Sequence, residues 1–458
     1  MTVDVDNRST SKQHRLQSRW YWYDWACSAY VTVTATVLFA PYLTSIANAA
    51  ACPTQATDLT CDNDLSVLGI SVAPGSLVAF TITVATILSA FVLVVFGAMA
   101  DRSHHPLRYL TTFALIGATG ASCLGFVVGT RWALGVVLAI VANVCLAASL
   151  IVYSAVMCRI TPPDDRDRVS TRGWSYGYLG GGLLLALNLL ILGAHSSLGM
   201  STTDVVRLSF VVTGVWWAAF GLYSINGLRD APHEPIMTSI TGNPVAAGVR
   251  QLRSTFFELR RYPQTLRFLL AYLFYNDGVQ TVIVAASLYG GQQLKFSATQ
   301  LIITILLVQF VAFGGALGFG RLSRSVPAKK LVYISLHLWI VVVLVAFFVP
   351  ERAFTPWLVL AVGIGLVLGG TQSLSRSLYS HLIPTGRESE FFSLYQAMDR
   401  GTSWLGTLIF GLVYQVLRDY RLSIVALIFF FVVGALLLRT VDVRAGVRAA
   451  GNDLPAVV

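Results

Sequence analysis

Residues 266–290 read LRFLLAYLFYNDGVQTVIVAASLYG, a nearly unbroken apolar run with a carboxylate, Asp277, close to its middle. About 20 apolar residues in a helix are enough to cross the hydrocarbon core of a bilayer. An acid at that depth costs about 2.5–3.5 kcal/mol on insertion scales, so a chain that keeps one sets it against a partner or a water-filled cavity. The run therefore points to a pathway through a membrane. Near the N-terminus, Tyr23-Asp24 places a similar acid at the start of the first apolar run, so two halves of one architecture present matching carboxylates.

Composition agrees with that reading. The chain has 458 residues, 55% of them hydrophobic and only 12% charged, with a mean hydropathy of +0.68. Twelve apolar runs of membrane-spanning length recur, from Trp22–Ala47 to Leu422–Leu438. They predict an all-α polytopic membrane protein with twelve transmembrane helices in two pseudo-symmetric six-helix bundles, since only helices and closed barrels satisfy their own backbone in lipid. The net charge of +10 raises a nucleic-acid partner, but the positions of the basic residues decide against it. With both termini cytoplasmic, 25 of the 32 Lys and Arg fall in inner segments and 6 in outer ones, the positive-inside bias of a multi-pass protein. No cleavable signal peptide is expected, because residues 1–19 are basic and polar and lead straight into a full-length span. A bacterial plasma membrane is the expected location.

The expected organisation is a cytoplasmic segment 1–21, a first bundle 22–228, a linker 229–265, a second bundle 266–440 and a tail 441–458. The linker carries Pro232, Pro235 and Pro244, then a basic stretch whose Phe256, Phe257 and Leu259 suit an interfacial helix. A 6 + 6 arrangement around a central linker is the pattern of transporters whose substrate site lies between two halves. Cys27, Cys123, Cys145 and Cys158 read as small buried hydrophobes. Cys52 and Cys61 share an acidic outer loop with Asp58, Asp62 and Asp64, where a disulfide between them and two free thiols are both open readings.

A second signal is Gly97, followed by Asp101-Arg102 and Arg108, at the inner junction of the second and third runs. The Gly permits close helix approach, and the acid can pair with basic residues or with a helix N-terminus across the inner face. This order resembles the signature loop of the major facilitator superfamily. The corresponding loop after the eighth run, Gly320 to Arg324 with Lys329 and Lys330, has no acid.

Further motifs narrow the resemblance. They are Tyr23-Asp24-Trp25-Ala26-Cys27-Ser28-Ala29-Tyr30, Gly173-Trp174, Gly177 to Gly182, Tyr275-Asn276-Asp277-Gly278, and Gly369-Gly370-Thr371-Gln372-Ser373-Leu374-Ser375-Arg376-Ser377. Over nearly the whole chain the sequence resembles the autophagy-related vacuolar amino-acid effluxers and their bacterial relatives, one branch of that superfamily. The resemblance implies export of a small polar metabolite such as an amino acid. Cys27 and Ser154 stand where that family usually has Asn.

The candidate substrate or ion-coupling residues are Asp24, Asn276, Asp277, Gln280, Gln372, Gln396, Asp399 and Arg400. Asp277 is expected to share a lining face with Gln280 and Thr281, and either to exchange a proton or to hold a fixed ion pair with Arg400. Gln396, Asp399, Ser403 and Thr407 form a polar stripe on the eleventh run. Arg376 and His381 read as residues snorkelling near the inner end of the tenth. Gly173, Gly177 and Gly181 recur every fourth residue and read as a close-packing seam. An enzyme is not expected. His104-His105 has no further ligands at metal-binding spacing, and no phosphate loop or nucleophile elbow is present. Neither metal nor cofactor is expected; the expected partners are a small-molecule substrate, protons and the lipid bilayer, and a monomer is expected. A flippase or efflux pump for amphiphilic compounds is the alternative, and a non-transporting receptor or scaffold a second one.

Overall fold

The computed structural model describes residues 2–53, 63–67, 69–232, 257–401 and 403–458, without the side chains of 2–10, 67, 70, 90–91, 94, 98, 400–401 and 403–404. The first bundle begins with α1 (Thr2–Ala29), which continues through a π-helical stretch, Tyr30–Leu38, into α2 (Phe39–Ala51). It then comprises α3 (Leu77–Arg102), α4 (Pro106–Cys123), α5 (Trp132–Ile160), α6 (Arg166–Gly193) and α7 (Thr202–Gly227). The second comprises α8 (Pro263–Gln292), α9 (Ala298–Leu322), α10 (Ala328–Phe348), α11 (Phe354–His381), α12 (Glu388–Gly401), α13 (Ser403–Leu417), α14 (Tyr420–Val425) and α15 (Ile428–Arg439). A short α16 (Val443–Ala449) follows.

Among the described residues ten helices are long and apolar enough to cross a membrane. The other two crossings read from the sequence correspond to α3, whose first half is apolar, and to the α12/α13 pair, apolar from Leu405 to Leu417. The first helix starts well before the span expected from Trp22, so helical structure is not confined to the apolar run. Prolines open α4 and α8 at positions where no backbone donor is needed. Capping boxes open α7, Ser201 with Asp204, and α9, Ser297 with Gln300. A small antiparallel hairpin pairs Leu65–Val67 with Ile70–Val72 in the loop before α3.

Inside the first bundle α1 packs on α6 and α7, α4 on α5 and α7, and α3 on α5. Inside the second, α9 and α10 pack on α11, and α8 on α15. Two seams join the halves: α6 against α9 and α11, and α12 against α3 and α5. Exchanging the halves, first crossing for seventh and so on, converts one seam into the other, the signature of two related repeats about a common axis. Helix ends carrying the basic loops, residues 101–108, 159–168 and 321–330 among them, gather with Arg439 and the tail on one side, called the basic face below.

Candidate functional site

The charged residues of α1 and α11 meet where the two halves touch. Asp24 lies on α1 four residues after Trp20 and four before Ser28, so the three share a stripe toward α6. Glycines on α6 allow that contact. A Cβ at Gly173 would stand 2.5 Å from Trp20 Cζ3 and 2.7 Å from Asp24 Oδ2; one at Gly177 would stand 2.5 Å from Ser28 Oγ; one at Gly181, 2.5 Å from Thr32 Oγ1. The four-residue glycine repeat is thus the groove that seats α1.

Arg376 of α11 enters the same groove from the other bundle. Its Nη2 donates to Asp24 Oδ2 at 3.2 Å and to the Ser170 carbonyl at 3.0 Å, and its Nε donates to Ser170 Oγ at 3.0 Å. Tyr153 donates its hydroxyl to the same Asp24 oxygen at 2.7 Å. The guanidinium carbon also lies 4.9 Å from the Trp20 ring centroid and 5.4 Å from that of Trp174. Arg376 is 4% exposed and Asp24 6%. This corrects the snorkelling expectation: Arg376 is a buried cation held through Nε and Nη2, and His381 is buried as well. A buried charge needs a paired charge and hydrogen bonds, and this cluster supplies them to Nε and Nη2 of Arg376.

Above the pair lies a cavity of about 270 Å³ walled by both bundles. Asp24, Ser28 and Trp174 line it from the first half, and Arg376, Gln280, Gln372, Gln396 and Asp399 from the second. Tyr178 donates across the interface to Gln372 Oε1 at 2.7 Å, and Gln309 to Thr32 Oγ1. Asp399 Oδ1 accepts from Tyr272 at 2.6 Å and from Asn276 Nδ2 at 2.9 Å. Two buried polar atoms on lining residues, Trp174 Nε1 and Gln396 Oε1, have no hydrogen-bond partner among the described residues. The cavity wall thus carries two carboxylates and one guanidinium.

Asp277 and Thr281 do not line this cavity, although Gln280 on the same helix does. Asp277 turns toward α13, where its Oδ2 accepts the Gly406 amide at 2.8 Å and its buried Oδ1 has no partner among the described residues. The helical face expected from the sequence is split, because α8 sits between the cavity and α13. Asn276 reaches the cavity through Asp399. The side chain of Arg400 lies outside the described residues, and so does Cys61. Cys52 is disulfide-bonded, whereas Cys27, Cys123, Cys145 and Cys158 are free.

On the basic face a second cluster closes the halves together. A Cβ at Gly97 would stand 2.7 Å from the Ser389 carbonyl, so α3 lies directly on α12. Asp101 then accepts the amides of Ser389 at 3.1 Å and Glu390 at 2.8 Å, in the first turn of α12, where a carboxylate complements the helix dipole. Its cationic partner is Arg159, 3.0 Å away, which also reaches Glu388 at 3.4 Å. Arg102 is half-buried beside it. The Arg108 side chain is exposed and makes no hydrogen bond or ion pair with described residues, so Arg159 takes the place expected for it. The second half contributes an acid after all, Glu388, from the first turn of α12 rather than from the loop after α9. Next to it Arg387 bridges Glu258 at 2.7 Å and Glu390 at 2.9 Å. Burial opposes the charge of Arg387, but these two carboxylates outweigh it and raise its pKa. Sequence reasoning missed Arg376, Tyr153, Ser170 and Arg159. The available signal was the spacing of Arg376, one turn beyond Gln372 in the same motif.

Comparison with known proteins agrees with this architecture. The chain is 27% identical to the uncharacterized MFS-type transporter YxiO of Bacillus subtilis (strain 168), over 96% of this chain and 98% of that one. It is 27% identical to autophagy-related protein 22 of Yarrowia lipolytica (strain CLIB 122 / E 150), over 87% of this chain and 80% of the other. In three dimensions it resembles the major facilitator proton:xylose symporter XylE, with a TM-score of 0.69, 12% identity and coverage of 95% and 97% of the two chains. A bacterial homologue of the iron transporter ferroportin in its outward-facing state gives a TM-score of 0.65 at 12% identity, covering 93% and 98%. These two likenesses concern the fold. The model of the family described as vacuole effluxer Atg22 like matches residues 11–451, and the chain belongs to that family of membrane transporters.

Proposed function

We propose that this transporter moves a small zwitterionic metabolite, an amino acid being the leading class, outward across a bacterial plasma membrane by alternating access, with the basic face and both termini in the cytoplasm. The observation that carries the reading is the interfacial cavity of about 270 Å³, whose wall holds the Arg376–Asp24 pair and Asp399. That volume lies at the small end of ligand pockets. A guanidinium suits a carboxylate, and the two acids suit an ammonium group. Family membership and the resemblance to effluxers support the direction.

Asp277 is the proposed proton carrier. It is 1% exposed, accepts a single hydrogen bond and pairs with no described cation, while its neighbour Asn276 holds the cavity acid Asp399. A proton on Asp277 would act on the α8–α13 packing rather than on the substrate itself. The test is flux in proteoliposomes with an amino-acid panel and an amphiphilic dye, with and without a pH gradient, for the native chain and Asp277→Asn. Saturable amino-acid flux that follows the gradient in the native protein and ignores it in the variant is expected. Flux of the dye alone would replace the reading with the amphiphile pump, which the apolar residues Val31, Leu146 and Ile283 in the cavity wall would then explain.

A further inference from the structure

A larger cavity, about 1020 Å³, lies on the basic face and is walled by both bundles: Pro163 and Asp164 from the first, the ends of α9, α10, α11 and α15 with the tail from the second. Five cations border it, and its three acids are already engaged. Asp164 accepts the Ala456 amide at 2.7 Å, Asp442 accepts the Ala445 amide at 3.0 Å, and Asp167 accepts the Ser377 hydroxyl. Two of the cations have partners: Lys329 donates to the Arg439 and Val441 carbonyls, and Arg444 to an oxygen of Val458, the last residue of the sequence. The side chains of the remaining three, Arg324, Lys330 and Arg439, make no hydrogen bond or ion pair with any described residue.

We propose that this cavity binds a phosphate-bearing anion through Arg324, Lys330 and Arg439, and that the bound anion holds the basic face closed. Three like charges around one hollow repel each other unless a counter-charge sits among them, and guanidinium groups match phosphate oxygens in paired geometry. The phosphate could belong to a lipid headgroup or to a soluble phosphate ester. Tyr333 and Leu378 supply an apolar wall beside the cations, which suits a headgroup with its glycerol attached. Because Pro163 and Asp164 belong to the other bundle, the complete cavity exists only while the two halves meet on this face. A ligand specific to one state shifts the population toward it by its differential affinity. The inference does not depend on which solute is carried.

The experiment uses the full chain in phosphatidylcholine nanodiscs, with short-chain phosphatidylglycerol, glycerol phosphate or inorganic phosphate added, and follows binding by native mass spectrometry. A nitroxide pair at Ser103 and Thr385 reports closure of the basic face. Phosphatidylglycerol is expected to bind and to shift the pair toward its short distance; the triple variant Arg324→Gln/Lys330→Gln/Arg439→Gln should lose at least about tenfold in affinity. The charge-keeping variant Arg324→Lys/Lys330→Arg/Arg439→Lys should bind within a few-fold of native, which covers the case of a misfolded neutral variant. Tight binding of glycerol phosphate would identify a soluble ester as the source. Equal binding by native and neutral chains, or no response of the nitroxide pair to any phosphate compound, would overturn the proposal.

Discussion

Arg376 and Asp24 are 352 residues apart in sequence and 3.2 Å apart in space, and their contact ties the second bundle to the first at the floor of the central cavity. Breaking a buried pair by removing one partner strands the other charge and costs about 3–5 kcal/mol. Arg376→Gln and Asp24→Asn should each lower the thermal unfolding midpoint in detergent and abolish transport. The double variant should recover part of the lost stability, because neither charge is then stranded, without recovering transport. A double variant no more stable than the worse single one would mean that the two residues act independently.

Packing along α6 makes a separate demand. Gly173→Ala and Gly177→Ala insert a methyl group 2.5 Å from Trp20 and Ser28 atoms respectively. Overpacking of this kind costs about 1–3 kcal/mol. Gly193, at the far end of the same helix, has no atom within 4 Å of its built Cβ, and Gly193→Ala should be neutral. Unfolding midpoints of the three variants check the contrast.

The basic-face lock predicts a shift in conformation rather than in folding. Asp101→Asn weakens the attraction to Arg159 and to the α12 N-terminus, each a charge-assisted contact of about 1.5–3 kcal/mol. Accessibility of a cysteine placed at Ser393 to a soluble maleimide should rise several-fold as the face opens. Arg108→Gln should leave it unchanged. A rise in the second variant and none in the first would remove Asp101 from the lock.

At Asp277 the geometry separates two kinds of loss. Asp277→Asn keeps an oxygen for the Gly406 amide, whereas Asp277→Ala leaves that amide unsatisfied at a cost of about 1–3 kcal/mol. The Asn variant should therefore unfold near the native midpoint and the Ala variant clearly below it. Equal midpoints would show that the Gly406 contact contributes nothing to stability.

Thiol counting addresses the loop before α3. Four cysteines are free and Cys52 is disulfide-bonded. Alkylation of the denatured chain should label four thiols without reductant and all six with it, which pairs Cys52 with Cys61 within one chain. Covalent dimers on a non-reducing gel would instead place the partner on a second copy.

Much of this was legible in advance because membranes impose few solutions. The recurrence of apolar runs, the basic bias of alternate loops and the Gly97 to Arg102 order suffice for the crossings and their class, since lipid leaves the backbone no alternative to helix. The glycine repeat on α6 was also readable, as close approach is what small residues at that spacing permit. Asp24 stands out in the sequence as an acid at the start of an apolar run, but its partner does not. Arg376 looked like a snorkelling residue because depth within a helix is visible in sequence while the neighbour across an interface is not. Asp277 was assigned to the cavity for a related reason: helical periodicity names residues that share a face without saying what that face meets.

Composition and motif order alone determine that this chain folds as paired helical bundles in a membrane and that a few ionisable groups are held inside it. Which cation neutralises which acid was decided only by assembly of the two halves, as was which polar residues see the central cavity. The reason is physical. Helix formation in lipid depends on local hydrophobicity and hydrogen bonding, whereas a buried charge is matched by whatever the opposing helix brings within about 4 Å, a distance that no spacing along the chain encodes.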